Sequence, residues 1–187
     1  MNKTRRDLLL GAAAVAGTFG IVAQAAQAAS AQQIERDARQ ALQSLYAAQP
    51  EARRLVSKAK AVLIFPKIIK AGLLIGGQTG DGVLLAGNKP EGYYNITAAS
   101  FGLQAGAQRF SFALFFMNDE ALRYLRESDG WAIGSGPSVV VVDQGVAKSM
   151  TSTTLARDVY AFPFGQQGLM AGLGLEGSKI THITPGK

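Results

Sequence analysis

The sequence predicts an α+β fold: a curved, mostly antiparallel β-sheet, bent far enough to approach a barrel, with two N-terminal helices and one internal helix packed on it. Three observations predict it. Residues 31–60 carry apolar side chains at three- and four-residue spacing, the period of a helix with one buried face. Most of the remainder reads as short apolar or alternating runs punctuated by glycine, proline, asparagine and aspartate, the pattern of strands and turns. The phrase Gly-Leu-x-x-Gly occurs three times, at Gly72–Gly76, Gly102–Gly106 and Gly168–Gly172, and glycine at that density would cost a helix about 1 kcal/mol per residue relative to alanine.

The first residues read as an address. Lys3, Arg5 and Arg6 precede an apolar run, Leu8 to Ala23, and Ala23-Gln24-Ala25 or Ala26-Gln27-Ala28 offers a small-residue cleavage site, so residues 1–28 are expected to be a bacterial export signal. Thr4-Arg5-Arg6-Asp7-Leu8-Leu9-Leu10 resembles the twin-arginine form of such signals. The run is shorter than the roughly 20 residues a spanning helix needs, which favours cleavage over anchoring. Residues 29–187 then form a single domain, since no Pro- or Ser-rich linker divides them.

In the mature chain, Ile34, Ala38, Ala41, Leu42 and Leu45 share one face of a first helix over Ala31–Tyr46, with Glu35, Arg36, Asp37 and Arg39 on the others. Pro50 suits the first turn of a second helix continuing to Lys60, because its missing N–H is not needed there. A third helix is predicted over Asp119–Glu127, with Asn118 as N-cap and Leu122 and Leu125 inward, ended by Ser128-Asp129-Gly130.

The strands begin with Ala61–Phe65, apolar throughout and stopped by Pro66, and include Ser138–Val142; both fit strands buried on two faces. Gly80-Asp81-Gly82 is expected to be a hairpin turn between Gly72–Thr79 and Val83–Ala86, since Asp-Gly tolerates positive φ. Tyr93–Thr97, Phe101–Gln108, Phe110–Met117, Val159–Phe162, Gly168–Leu175 and Lys179–Thr184 complete the set.

Within strands, glycine makes room for a second backbone, a ring or a sharp bend, and rings are abundant, from Phe101 through Phe110, Phe112, Phe115 and Phe116 to Trp131 and Phe162. The three phrases are therefore expected to be scaffold. A phosphate cradle is disfavoured, because the stretch after Gly72 lacks the lysine of a P-loop and does not spell G-x-G-x-x-G.

Ala59–Pro66, Lys70-Ala71-Gly72, Gly76-Gly77, Gly80-Asp81-Gly82, Gly102–Gln108 and Gly168–Gly172 with Leu175-Glu176-Gly177 follow one another in an order that resembles the SYLF domain family from about Ala31 to His182. The resemblance implies a lipid-binding module without enzymatic activity. Eukaryotic members bind phosphoinositides through a basic N-terminal segment, and yeast members also bundle actin. No Src-homology or zinc-finger domain like that of those proteins is expected here, and an exported bacterial protein would meet no actin, so no actin partner is expected.

Charge narrows the binding surface. The chain carries a formal +6, and removal of residues 1–28 leaves +4, so anionic partners are favoured. Nucleic acid is not expected for an exported protein. Arg53, Arg54, Lys58, Lys60, Lys67 and Lys70 place six cations in eighteen residues, opposed by Glu51, and are the expected lipid-binding residues. Lys67-Ile68-Ile69-Lys70 also sets two apolar residues between cations, as an interfacial contact or a half-buried strand would. The expected partner is an anionic phospholipid or membrane surface in the periplasm or outside the cell; the alternative is a structural protein docking an envelope protein. With no cysteine and one histidine, His182, no metal site and no cofactor are expected. Asp119-Glu120 reads as helix-capping acid, Glu127 and Asp129 flank the same helix, and Ser135, Ser138 and Ser152 show no base nearby in sequence, so no catalytic residue is expected.

Overall fold

The computed structural model describes residues 29–142, 157–168 and 177–186. The expected export signal, Ser152 and the third glycine phrase beyond Gly168 lie outside the described residues. Among the described residues, three helices, α1 (Ala31–Ala48), α2 (Pro50–Val56) and α3 (Asp119–Glu127), accompany six strands: β1 (Ala61–Ala86), β2 (Lys89–Phe116), β3 (Trp131–Ala132), β4 (Val139–Val141), β5 (Val159–Gly168) and β6 (Lys179–Ile183). The strands form one curled sheet in the order β3-β6-β2-β5-β4, with β1 paired to β2. Among these described strands every pairing is antiparallel except β4 with β5. The sheet curls into a half-barrel. The α+β class and the curvature expected from the sequence are both present.

Much of the fold is a single ribbon. β1 and β2 pair from Ala61↔Phe116 to Ala86↔Lys89, and the ribbon folds back on itself. At Gly72 the bend is so tight that an added methyl would fall on the Cα of Gly76. Further along, a methyl on Gly82 would meet the Ile64 carbonyl oxygen and lie 2.5 Å from the Phe65 ring. Only hydrogen at these positions lets the two halves of β1 approach.

This geometry corrects the expected hairpin at Gly80–Gly82. Those residues lie inside β1, with Asp81 paired to Asn95 and Gly82 to Tyr94, and the turn falls at Gly87-Asn88, where Gly87 has φ of 59°. Glycine serves both a positive φ and a close approach, and the letters alone do not separate the two. Pro66 likewise does not end its strand. Pro66 and Lys67 stand together opposite Ser111 in a β-bulge, where a residue without an N–H is tolerated, and the Ser111 hydroxyl donates to the Pro66 carbonyl at 2.7 Å.

The core has two apolar layers. Inside the curl, Leu63, Phe65, Ile68, Phe112, Leu114 and Phe116 pack with Trp131, Ile180 and the buried face of α3. On the outer face, Val62, Ile64, Phe115, Tyr160 and Phe162 pack under Ile34, Ala38, Leu42 and Leu45 of α1 and Ala52 and Leu55 of α2. Alternation along β1 and β2 sends successive residues to opposite layers. α1 starts at Ser30, whose hydroxyl accepts from the Gln33 N–H, and α3 at Asn118, whose side chain accepts from the Ala121 N–H. α2 stops at Val56, short of the expected Lys60, because the chain turns there: the Lys58 and Ala59 N–H groups both bond to the Leu55 carbonyl, and the Lys60 N–H joins Phe116 of β2. β4 is partly exposed, with Val141 at 38%, so it is not a strand buried on both faces. It is the last strand of the described sheet and has one partner, β5.

Candidate functional site

The six cations picked out in the sequence fall into two groups. Arg53 and Arg54 project from α2, Lys58 sits in the following turn, Lys60 precedes β1, and all four are exposed. Arg54 stands 3.9 Å from Glu51, and Lys60 is 3.2 Å from Asp119 in the first turn of α3. Exposed pairs of this kind contribute about 0–1 kcal/mol, so they leave the basic character of the surface largely intact. Lys67 and Lys70 lie beyond the bulge, and seven residues of strand from Lys60 to Lys67 span roughly 20 Å at the usual rise. Lys67 is exposed and Lys70 half-buried. Ile68 is buried while Ile69 is 45% exposed, so Lys67-Ile68-Ile69-Lys70 alternates as a strand with one buried face.

Folding brings a further cation to the second group. Ile69 pairs with Arg109 on β2, and Arg109 with Gln167 on β5. The inward turn of Phe110 sends Arg109 to the α1 face, beside Lys67. Two bulges, one at Pro66-Lys67 and one on β5 near Gly165, interrupt the ladders beside a groove of about 420 Å³ between the sheet and α1. Lys67, Arg109 and Ser111 line it on the sheet side and Asp37, Gln40 and Ser44 on the helix side. The Asp37 carboxylate is held by the Gln33 amide at 2.7 Å. Arg109 escapes sequence reasoning because its neighbourhood depends on strand register; the signal available is its position between Gln108 and Phe110, both buried.

Of the residues considered for acid–base or nucleophilic chemistry, Asp119, Ser135, Ser138 and His182 have structural partners. Asp158 accepts from both the backbone N–H and the hydroxyl of Ser138, at 2.8 and 2.7 Å, and from the Asn118 amide at 2.8 Å. The Ser138 hydroxyl, its N–H and then Asn118 hold the Asp158 carboxyl below its ordinary value, which makes it a weak base. The Ser135 hydroxyl donates to the Ala132 carbonyl at 2.7 Å. His182 is exposed and meets the Tyr94 ring edge-on, with centroids 5.3 Å apart. Among the described residues no three His, Asp or Glu side chains gather as a metal site. Tyr93 donates to Glu35 at 2.6 Å, and that bond, with burial and the Glu35 charge, pushes the phenol up to about 12.

No curated protein matches the chain. Residues 97–184 match the family described as Ysc84, Las17-binding protein actin regulator. The matched segment starts within β2 and takes in Arg109, α3, β5 and β6, while α1, α2 and the six sequence-picked cations precede it. The match over residues 97–184, the half-barrel fold and the order of the glycine motifs together support the SYLF domain family, to which the Ysc84 model belongs.

Proposed function

We propose that this protein is a non-enzymatic lipid-binding protein of the bacterial cell envelope that engages anionic phospholipid head groups through Arg53, Arg54, Lys58, Lys60, Lys67 and Lys70. Exported by its N-terminal signal, the mature domain acts in the periplasm or outside the cell. The observation that carries this reading is the exposure of five of those cations, with Lys70 half-buried, on α2, the turn after it and the first half of β1. Each lysine or arginine near an anionic bilayer contributes on the order of 1 kcal/mol, so several together hold a protein at a surface reversibly.

Co-sedimentation with phosphatidylglycerol or cardiolipin vesicles tests it. Binding is expected to fall when Lys58, Lys60, Lys67 and Lys70 are changed to glutamate, and binding unaffected by those changes removes the proposed site. A protein partner on an apolar patch would instead be captured in pull-downs that persist at moderate salt, where an electrostatic lipid contact weakens.

A further inference from the structure

The bend of the β1/β2 ribbon has a surface chemistry that scaffolding alone does not require. Its two arms, 71–77 on β1 and 98–107 on β2, contain no charged residue. Ile75, at 69%, is the most exposed large apolar side chain among the described residues. Ala71, Gly77, Ala99, Gly106 and Ala107 beside it are exposed as well. The backbone nonetheless remains in the ladder, with Gly72 paired to Gly106, Ile75 to Phe101 and Gly77 to Ala99. An apolar surface whose backbone groups are already paired can enter a medium without water at little cost, whereas an unpaired loop cannot.

Cations stand at a matching distance from this end. Lys67 and Arg109 share the α1 face, and Arg109 lies three residues from Gly106, about 10 Å at the rise of a strand. Interfacial segments bury their apolar face to a depth of roughly 5–10 Å, which brings both side chains to the level of lipid phosphates. Arg53, Arg54, Lys58 and Lys60 belong to the opposite end of that half of β1.

We propose that the glycine bend is a membrane-insertion tip: the Gly72–Gly76 and Gly102–Gly106 end of the ribbon enters the interfacial zone of an anionic bilayer, with Lys67 and Arg109 on its phosphates. This rests on the lipid-binding reading above but narrows its head-group contacts to the Lys67 and Lys70 end together with Arg109, holding the group from Arg53 to Lys60 off the bilayer. The glycines then have two roles, closing the bend and keeping the inserted end narrow.

The absence of native cysteine makes a positional test direct. Ile75→Cys at the tip and Ser57→Cys after α2 are each labelled with an environment-sensitive fluorophore and mixed with phosphatidylglycerol–phosphatidylcholine vesicles, with co-sedimentation read in parallel. Both sites are exposed, and circular dichroism checks that the variants fold. The label at position 75 is expected to shift to the blue, brighten and be quenched by nitroxide-bearing acyl chains, while the label at position 57 stays aqueous. Lys67→Glu with Arg109→Glu is expected to lower vesicle affinity by at least about tenfold. Co-sedimentation with an aqueous label at position 75 overturns the insertion tip and leaves lipid binding standing, all the more so if position 57 responds. Failure of the protein to sediment with anionic vesicles overturns both.

Discussion

Asp158 clamps Ser138 with two hydrogen bonds, one from the serine N–H and one from its hydroxyl. The return bond from the Asp158 N–H to the Ser138 oxygen, at 3.1 Å, and the bond from Asn118 tie the starts of β4, β5 and α3 together. Because its folded-state pKa is depressed, this carboxylate stabilises the protein above its unfolded value. That contribution is lost as pH falls through the folded value. Thermal unfolding followed from neutral pH into acid should show Asp158→Asn less stable than the parent at neutral pH, with the gap narrowing below about pH 4. A gap independent of pH would contradict the ionised clamp.

Asn118 is used twice, by the Ala121 N–H at the start of α3 and by Asp158. Asn118→Ala removes a helix cap together with a bond to a charged acceptor, and is expected to destabilise by about 2 kcal/mol. Denaturant midpoints measure it, and a loss below about 0.5 kcal/mol would show that water replaces both bonds.

Tyr93 and Glu35 join β2 to α1 across 2.6 Å. With the folded phenol raised to about 12, the bond contributes below the ordinary tyrosine value near 10 and is lost as pH rises through the folded value. An absorbance titration should resolve one tyrosine ionising near 12, and Glu35→Gln should move it back toward 10. An unchanged titration would show that Glu35 does not hold the phenol.

Gly82 separates the two explanations for glycine in a strand. Gly82→Ala places a methyl against the Ile64 carbonyl and the Phe65 ring, and overpacking of this kind is expected to cost about 1–3 kcal/mol or more. Gly77→Ala meets nothing closer than the Ala98 carbonyl at 3.5 Å and should lie within about 0.5 kcal/mol of the parent. Equal losses at the two positions would mean that the ribbon does not fold back at Gly82.

The helices and the α+β class were legible in the sequence because they depend on local pattern: Ile34, Ala38, Leu42 and Leu45 are all buried as their spacing requires, and Asn118 caps α3. The hairpin was misplaced because Gly80 and Gly82 answer to Lys67 and Ile64, residues more than ten positions away that come close only once the ribbon bends. The site divides in the same way. Exposed lysines and arginines around α2 can be read from a basic run, whereas the position of Arg109 next to Ile69 and Lys67 follows from register and two bulges. Ile75 is one apolar residue among many until the bend leaves it in solvent.

The most direct test of the central claim is partition of the protein between buffer and vesicles as phosphatidylglycerol replaces phosphatidylcholine, repeated at rising ionic strength. The account predicts little binding to neutral vesicles, a steep rise with anionic content and a loss as salt screens the surface over a Debye length of about 10 Å at 0.1 M. Equal binding to neutral and anionic vesicles, or no binding to either, would contradict it.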